Sequence, residues 1–292
     1  MKKFVLAAIL LAGAAMPASA YTSYLRPNAY WPDSADVRVE GSFASQFFTP
    51  SISVAPQLVL TGPNGANLPT DLISNDGVAL RLDAELRDGG TYRVSTTEQL
   101  GAVATLVGVD GQWRSLAQGE TPPVGAPVTT LQTVTLAESY ITRGQATRTV
   151  VDHASGRLAI RPITHPNQVL ATEGLEVEIL FDGAPLVNSA VVLYAAGDAD
   201  NDLDTYAVTD NAGHARFTFP APGHYLIAAR HRANMAPGAA AQVGSYTTTL
   251  SFEALSQIPA GYDVATHDAE RAREEARRSR TPPRRRVGRP DY

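Results

Sequence analysis

The sequence predicts an all-β protein built from two β-sandwich units, and three observations carry that prediction. Apolar and polar residues alternate with period two over short runs, as in Asp36-Val37-Arg38-Val39-Glu40 and Thr91-Tyr92-Arg93-Val94-Ser95, the pattern of half-buried strands. Turn-forming clusters such as Gly62-Pro63-Asn64-Gly65 and Asn75-Asp76-Gly77 fall between these runs at the spacing of a sandwich. The second half then packs seven such runs close together.

Taken in order, Lys2 and Lys3 precede an apolar stretch from Phe4 to Gly13, and Ala18-Ser19-Ala20 offers a small-residue cleavage site. Residues 1–20 therefore read as a signal peptide, and the mature chain is expected to start at Tyr21 in the periplasm. The apolar run is too short for a membrane span, which needs about 20 residues. Residues 21–117 are assigned to the first sandwich, with strands at 36–40, 78–82 and 91–95. Residues 118–155 read as a linker with connecting strands: Pro122, Pro123 and Pro127 break the alternation, and Thr129 to Leu136 restores it. Residues 156–256 hold the second sandwich, with strands at 158–161, 175–181, 191–195, 205–209, 214–219, 224–229 and 246–252. That count suggests an immunoglobulin-like or transthyretin-like unit. Pro220-Ala221-Pro222-Gly223 reads as a hairpin turn that sets Phe219 opposite His224. The charged tail, 257–292, lacks the apolar residues for a core and is expected to be a frayed helix or disordered, so that deleting 261–292 leaves folding intact.

Composition narrows the function. The chain has no cysteine, which removes disulfides, thiolate metal sites and cysteine nucleophiles. From Tyr21 to Tyr262, 13 arginines face 23 acidic residues, whereas 9 arginines face 6 acidic residues from Asp263 onward. A basic excess confined to a tail is not a nucleic-acid footprint, which needs a basic folded face; it suits weak contact with an anionic surface. No G-x-S-x-G elbow, H-E-x-x-H helix or phosphate-binding glycine loop is present, so no enzyme activity is expected.

Three blocks carry a resemblance: Glu138-Ser139-Tyr140-Ile141-Thr142-Arg143-Gly144, Ile163-Thr164-His165-Pro166-Asn167 with Glu173-Gly174-Leu175-Glu176-Val177, and Thr209-Asp210-Asn211-Ala212-Gly213 with Pro222-Gly223-His224-Tyr225. In order and spacing they resemble the family known as domain of unknown function 4198. The resemblance implies an exported protein of the kind described as a periplasmic component of nickel or cobalt uptake. It also implies an initial histidine, and Tyr21 stands in its place here.

On that basis His165 is the first candidate metal ligand, with His214, His231 and His224 behind it, since imidazole suits nickel, cobalt, copper and zinc. The competing reading of His165 is structural, its ring bonding a backbone carbonyl. In the expected hairpin, His214 and His231 share a face. Asp198, Asp200 and Asp202 alternate as in the start of a calcium loop, without its glycine or its terminal glutamate; a solvated acidic loop is the alternative. Aromatic residues from Tyr21 to Phe48 read as packing or as a stacking surface. The sequence thus predicts an accessory binding protein of nickel, cobalt or iron-complex uptake, its partner a membrane metal transporter or a TonB-linked receptor. The competing prediction is an envelope interaction module that binds no metal.

Overall fold

The structure is a computed structural model that describes residues 21–117 and 119–279. The signal-peptide reading and the end of the tail lie outside those residues. In chain order the strands are β1 (Thr22–Pro27), β2 (Asp36–Ala44), β3 (Ile52–Ser53), β4 (Leu58–Thr61), β5 (Asn67–Leu68), β6 (Asp71–Asn75), β7 (Leu80–Glu85), β8 (Gly90–Thr96), β9 (Gln99–Val109) and β10 (Gln112–Ser115). They continue with β11 (Val128–Arg143), β12 (Leu158–Pro162), β13 (Leu175–Phe181), β14 (Ala184–Pro185), β15 (Ala190–Ala195), β16 (Tyr206–Val208), β17 (His214–Phe217), β18 (Gly223–Asn234) and β19 (Val243–Ala254). One helix, α1 (Val264–Ser279), follows. The all-β class is therefore as the sequence predicts.

These strands form three layers. The middle one is a ten-stranded sheet ordered β16-β15-β18-β19-β11-β8-β4-β5, with β9 and β10 branching from β11. A five-stranded sheet (β1, β2, β3, β6, β7) covers one face, and a four-stranded sheet (β12, β13, β14, β17) covers the other. Period two explains how a middle layer arises. Along β18, Tyr225, Ile227 and Ala229 enter the core under β12, β13 and β17, while Leu226 and Ala228 pack against Tyr24, Phe47 and Phe48 on the other face. A third cluster, with Leu25, Val39, Leu82, Tyr92 and Ile141, lies between the five-stranded sheet and the middle sheet. Strand β11, from the stretch read as a linker with connecting strands, is 16 residues long and joins the two halves. It pairs antiparallel with β8 and β9 and in parallel with β19.

Two expectations need correction. Strands β17 and β18 are not a hairpin: β17 pairs with β13 in the four-stranded sheet, and β18 pairs with β15 and β19 in the middle sheet. The Pro220–Gly223 turn carries the chain from one layer to the next, because both faces of β18 are apolar and require cover. The second correction concerns the tail, whose residues 264–279 form a docked helix. Val264 is buried, the Tyr262 hydroxyl donates to the Pro32 carbonyl (3.0 Å), and Arg143, 1% exposed, reaches Asp268 at 2.5 Å. Asp263 caps the helix by accepting from the Thr266 N–H (2.8 Å). No helix among the described residues is long and apolar enough to cross a membrane.

Candidate functional site

The four histidines stand apart. His165 is buried where the loop before β13 meets β8 and β11. Its Nδ1 accepts from the Asn167 N–H (3.2 Å), which leaves Nε2 to donate to the Thr147 carbonyl (3.1 Å), with the Thr91 hydroxyl 3.0 Å from the same nitrogen. Burial lowers its pKa and keeps it neutral. Asn167 extends this latch, donating to the Tyr140 carbonyl (2.9 Å) and accepting from Thr142 (3.0 Å) and, through its own carbonyl, from Trp31 (2.7 Å). Both ring nitrogens of His165 are thus engaged within the protein.

His214 lies on the outer face of the four-stranded sheet, 3.7 Å from Glu176. His231 lies in the middle sheet with its ring 4.6 Å from that of Phe181, and burial together with Arg157 lowers its pKa. With β17 and β18 in different sheets, the shared face expected for this pair is lost. His224 points to the opposite face of β18, beside Tyr30 and Phe48.

The acidic loop also diverges. Asp198 accepts from the Ala195 N–H (2.7 Å) and Asp202 from the Asp204 N–H (3.2 Å), both closing local turns. Asp200 alone turns inward and is 3% exposed. Among the described residues no three His, Asp or Glu side chains are grouped to hold a metal ion.

Asp200 leads to a groove that the sequence did not assemble. A cavity of about 820 Å³ opens between the start of β1 and the middle sheet. Its floor is a two-by-two array of hydroxyls on the parallel pair β11 and β19, with Thr133 opposite Ser245 and Thr135 opposite Thr247. None of the four hydroxyls has a hydrogen-bond partner among the described residues. Val54, Pro56 and Leu100 form apolar walls. Gly101 comes so close to the floor that a Cβ there would lie 2.1 Å from the Thr133 hydroxyl, so only glycine leaves that side open.

At one end, Asp200 Oδ1 accepts from Arg230 (2.9 Å), which also donates to Thr22 Oγ1 (3.1 Å) and to the Tyr194 hydroxyl (3.2 Å). Asp200 Oδ2 is buried beyond the reach of solvent, and the Thr22 hydroxyl beside it favours the ionised form of the carboxyl. Desolvation raises the pKa of this carboxyl, against the pull of Arg230. The Thr-x-Thr and Ser-x-Thr alternations were visible in the sequence, but their shared floor depends on parallel pairing between distant strands.

Fold and groove together define a class: a cysteine-free, three-layered β protein with a polar-floored cleft between two of its sheets. The family model of domain of unknown function DUF4198 matches residues 18–233, and the chain belongs to that family. No curated protein matches the chain. Among solved structures it is similar to the D0-D1 domain of intimin, with 12% identity over 79% of this chain and 96% of that one, at a TM-score of 0.20. A tetra-tandem repeat from the extending region of a large adhesion protein is similar at 12% identity, covering 82% and 75%, at a TM-score of 0.21. At such TM-scores the likeness says nothing about function.

Proposed function

We propose that this chain is a non-catalytic binding protein of the cell envelope that accepts a polar solute in the groove floored by Thr133, Thr135, Ser245 and Thr247. One observation carries the reading: four side-chain hydroxyls without a hydrogen-bond partner among the described residues floor a cavity of about 820 Å³. Hydroxyls in such a cleft both donate to and accept from a polar solute, each bond contributing about 1 kcal/mol. At one end the Arg230–Asp200 pair, tied also to Thr22 and Tyr194, closes the groove with its charges matched.

Kinship with the family adds the finer form of the reading, a part in nickel, cobalt or iron-complex uptake, with hand-over to a membrane transporter or a TonB-linked receptor. The groove supplies oxygen ligands and no imidazole, which suits a hydrated or complexed cation better than a bare nickel ion. The test is calorimetric titration of the chain from Tyr21, stripped of metal, with nickel, cobalt, copper, zinc and calcium salts and with n-butylammonium. Binding lost in the double change Thr135→Val with Thr247→Val and kept in His165→Ala is the expected result. Binding lost only in His165→Ala would move the site to the latch and sink this reading.

The envelope interaction module is a second reading, favoured by β6, which ends the five-stranded sheet with Leu72 and Ile73 exposed at 57% and 51%. Apolar side chains on an open edge strand suit pairing with another chain. Absence of heat with every solute, together with a partner cross-linked through β6, would favour it.

A further inference from the structure

Beyond Glu275 the sequence places seven arginines between Arg277 and Arg289, with no acidic residue among them. The helix end accounts for two: Arg277 and Arg278 stand in the last turn of α1, where a cation offsets the partial negative charge of the free carbonyls. That effect falls off within the turn, so the other five have no use in the helix. From Ala276 to Pro290 only Val287 is a large apolar residue, and no aromatic residue is present. Such a run has nothing to fill a protein pocket and nothing to stack on nucleic-acid bases.

The body sets where this charge can act. From Tyr21 to Tyr262, 13 arginines face 23 acidic residues, so the body attracts a basic run at close range. Helix α1 opposes that attraction. Val264, Asp268 and Arg271, at i, i+4 and i+7, face the body: Val264 is buried, Asp268 meets Arg143, and Arg271 donates to the Asp33 carbonyl (2.9 Å). From Ala272 to Arg278 every residue is exposed. The helix from Arg271 to Ser279 spans about 12 Å, against a Debye length of about 8 Å at physiological salt. It thus carries the start of the run beyond the screened field of the body. We propose that residues 277–289 hold this chain electrostatically on an anionic phospholipid surface, with α1 as the spacer. The same surface repels the acidic body, so a spacer that keeps the two apart favours the contact twice over. A diffuse charged surface needs neither pocket nor stacking, which matches what the run lacks. This contact is separate from the groove.

The test is co-sedimentation of the chain from Tyr21 with vesicles of phosphatidylcholine, alone or with about 30% phosphatidylglycerol, at about 50 mM and about 500 mM sodium chloride. Binding to the anionic vesicles at low salt, release at high salt and none to phosphatidylcholine alone are expected. The triple change Arg284→Gln, Arg285→Gln and Arg286→Gln should weaken binding at least about tenfold, whereas lysine at the same three positions should keep it within about threefold. Ending the chain at Ser279 should weaken it at least as much as the glutamine changes. Circular dichroism and melting establish that these variants fold, since each change lies outside the seated part of α1. Equal binding to neutral vesicles, undiminished binding by the chain ending at Ser279, or loss on changing the three arginines to lysine overturns the proposal. Tighter binding to a DNA duplex than to the anionic vesicles at the same salt would make nucleic acid the partner and overturn it too. No binding at low salt also refutes it.

Discussion

Glu138 gives the protein a stability that falls as pH rises, and Glu138→Gln should abolish that component. The side chain stands on the core-facing side of β11, 1% exposed, with Oε1 unpartnered and Arg93 3.9 Å away. Burial pushes its pKa from 4.5 up to about 7; Arg93 and the Ser155 hydroxyl pull the other way, so this value is already net of their attraction. A carboxyl whose folded pKa lies above its unfolded one holds a proton that the unfolded chain has released. The folded state therefore binds the extra proton between pH 4.5 and 7, and stability declines across that window. At about 1.4 kcal/mol for each pH unit, the loss amounts to about 3 kcal/mol. Asp200, raised by burial, acts with the same sign, whereas the lowered His165 and His231 act oppositely below pH 6.5. The wild-type curve alone is therefore a mixture, and the difference between the two proteins isolates Glu138. Glutamine mimics the protonated acid, so urea midpoints should nearly coincide at pH 5, with the variant more stable by about 3 kcal/mol at pH 8. A difference that stays flat from pH 5 to 8 would refute the assignment of the raised pKa to this residue.

Three further outcomes follow from the packing. Truncation after Tyr262, or Asp268→Ala, leaves the buried Arg143 guanidinium without its carboxylate; the half-exposed Asp268 moderates the penalty to about 2 kcal/mol, or about 4–8 °C in Tm by calorimetry. This reverses the sequence expectation that the tail is dispensable, and an unchanged Tm would restore it. His165→Ala should cost about 2 kcal/mol in urea unfolding, because it unpairs the half-buried Thr147 carbonyl and the buried Asn167 N–H. Gly174→Ala should cost at least about 2 kcal/mol by the same measurement, since the residue has a φ of +90° and a Cβ would lie 2.2 Å from the Phe217 carbonyl.

The individual strands were legible because alternation is a local signal. Leu175–Phe181, Ala190–Ala195 and Val243–Ala254 fall where the periodicity puts them, to within a few residues. Which strands pair is not local. Pro220–Gly223 serves equally well as a hairpin turn and as a step between layers, and only the apolar character of both faces of β18 decides between them. The resemblance signals family, and the structure gives its best-matched block a mechanical use: His165 and Asn167 bind the loop before β13 to β8, β11 and Trp31.

Legibility of the groove failed for a related reason. Asp198, Asp200 and Asp202 look equivalent in sequence, and the calcium-loop reading treated them so. They become different once Arg230, 30 residues further along the chain, draws Asp200 inward while its neighbours close their own turns. The hydroxyl floor joins β11 and β19, whose Ser139 and Ser251 are 112 residues apart. Parallel pairing over such a distance leaves no periodic trace in either strand alone. What each strand does show is hydroxyl side chains at alternate positions, at Thr133 and Thr135 and again at Ser245 and Thr247. On a surface strand those residues would face solvent and call for no explanation. On strands central to a middle layer they must face another sheet, a bound segment or a cavity; Thr249 and Ser251 meet the first β-strand, and the rest of the ladder meets the groove.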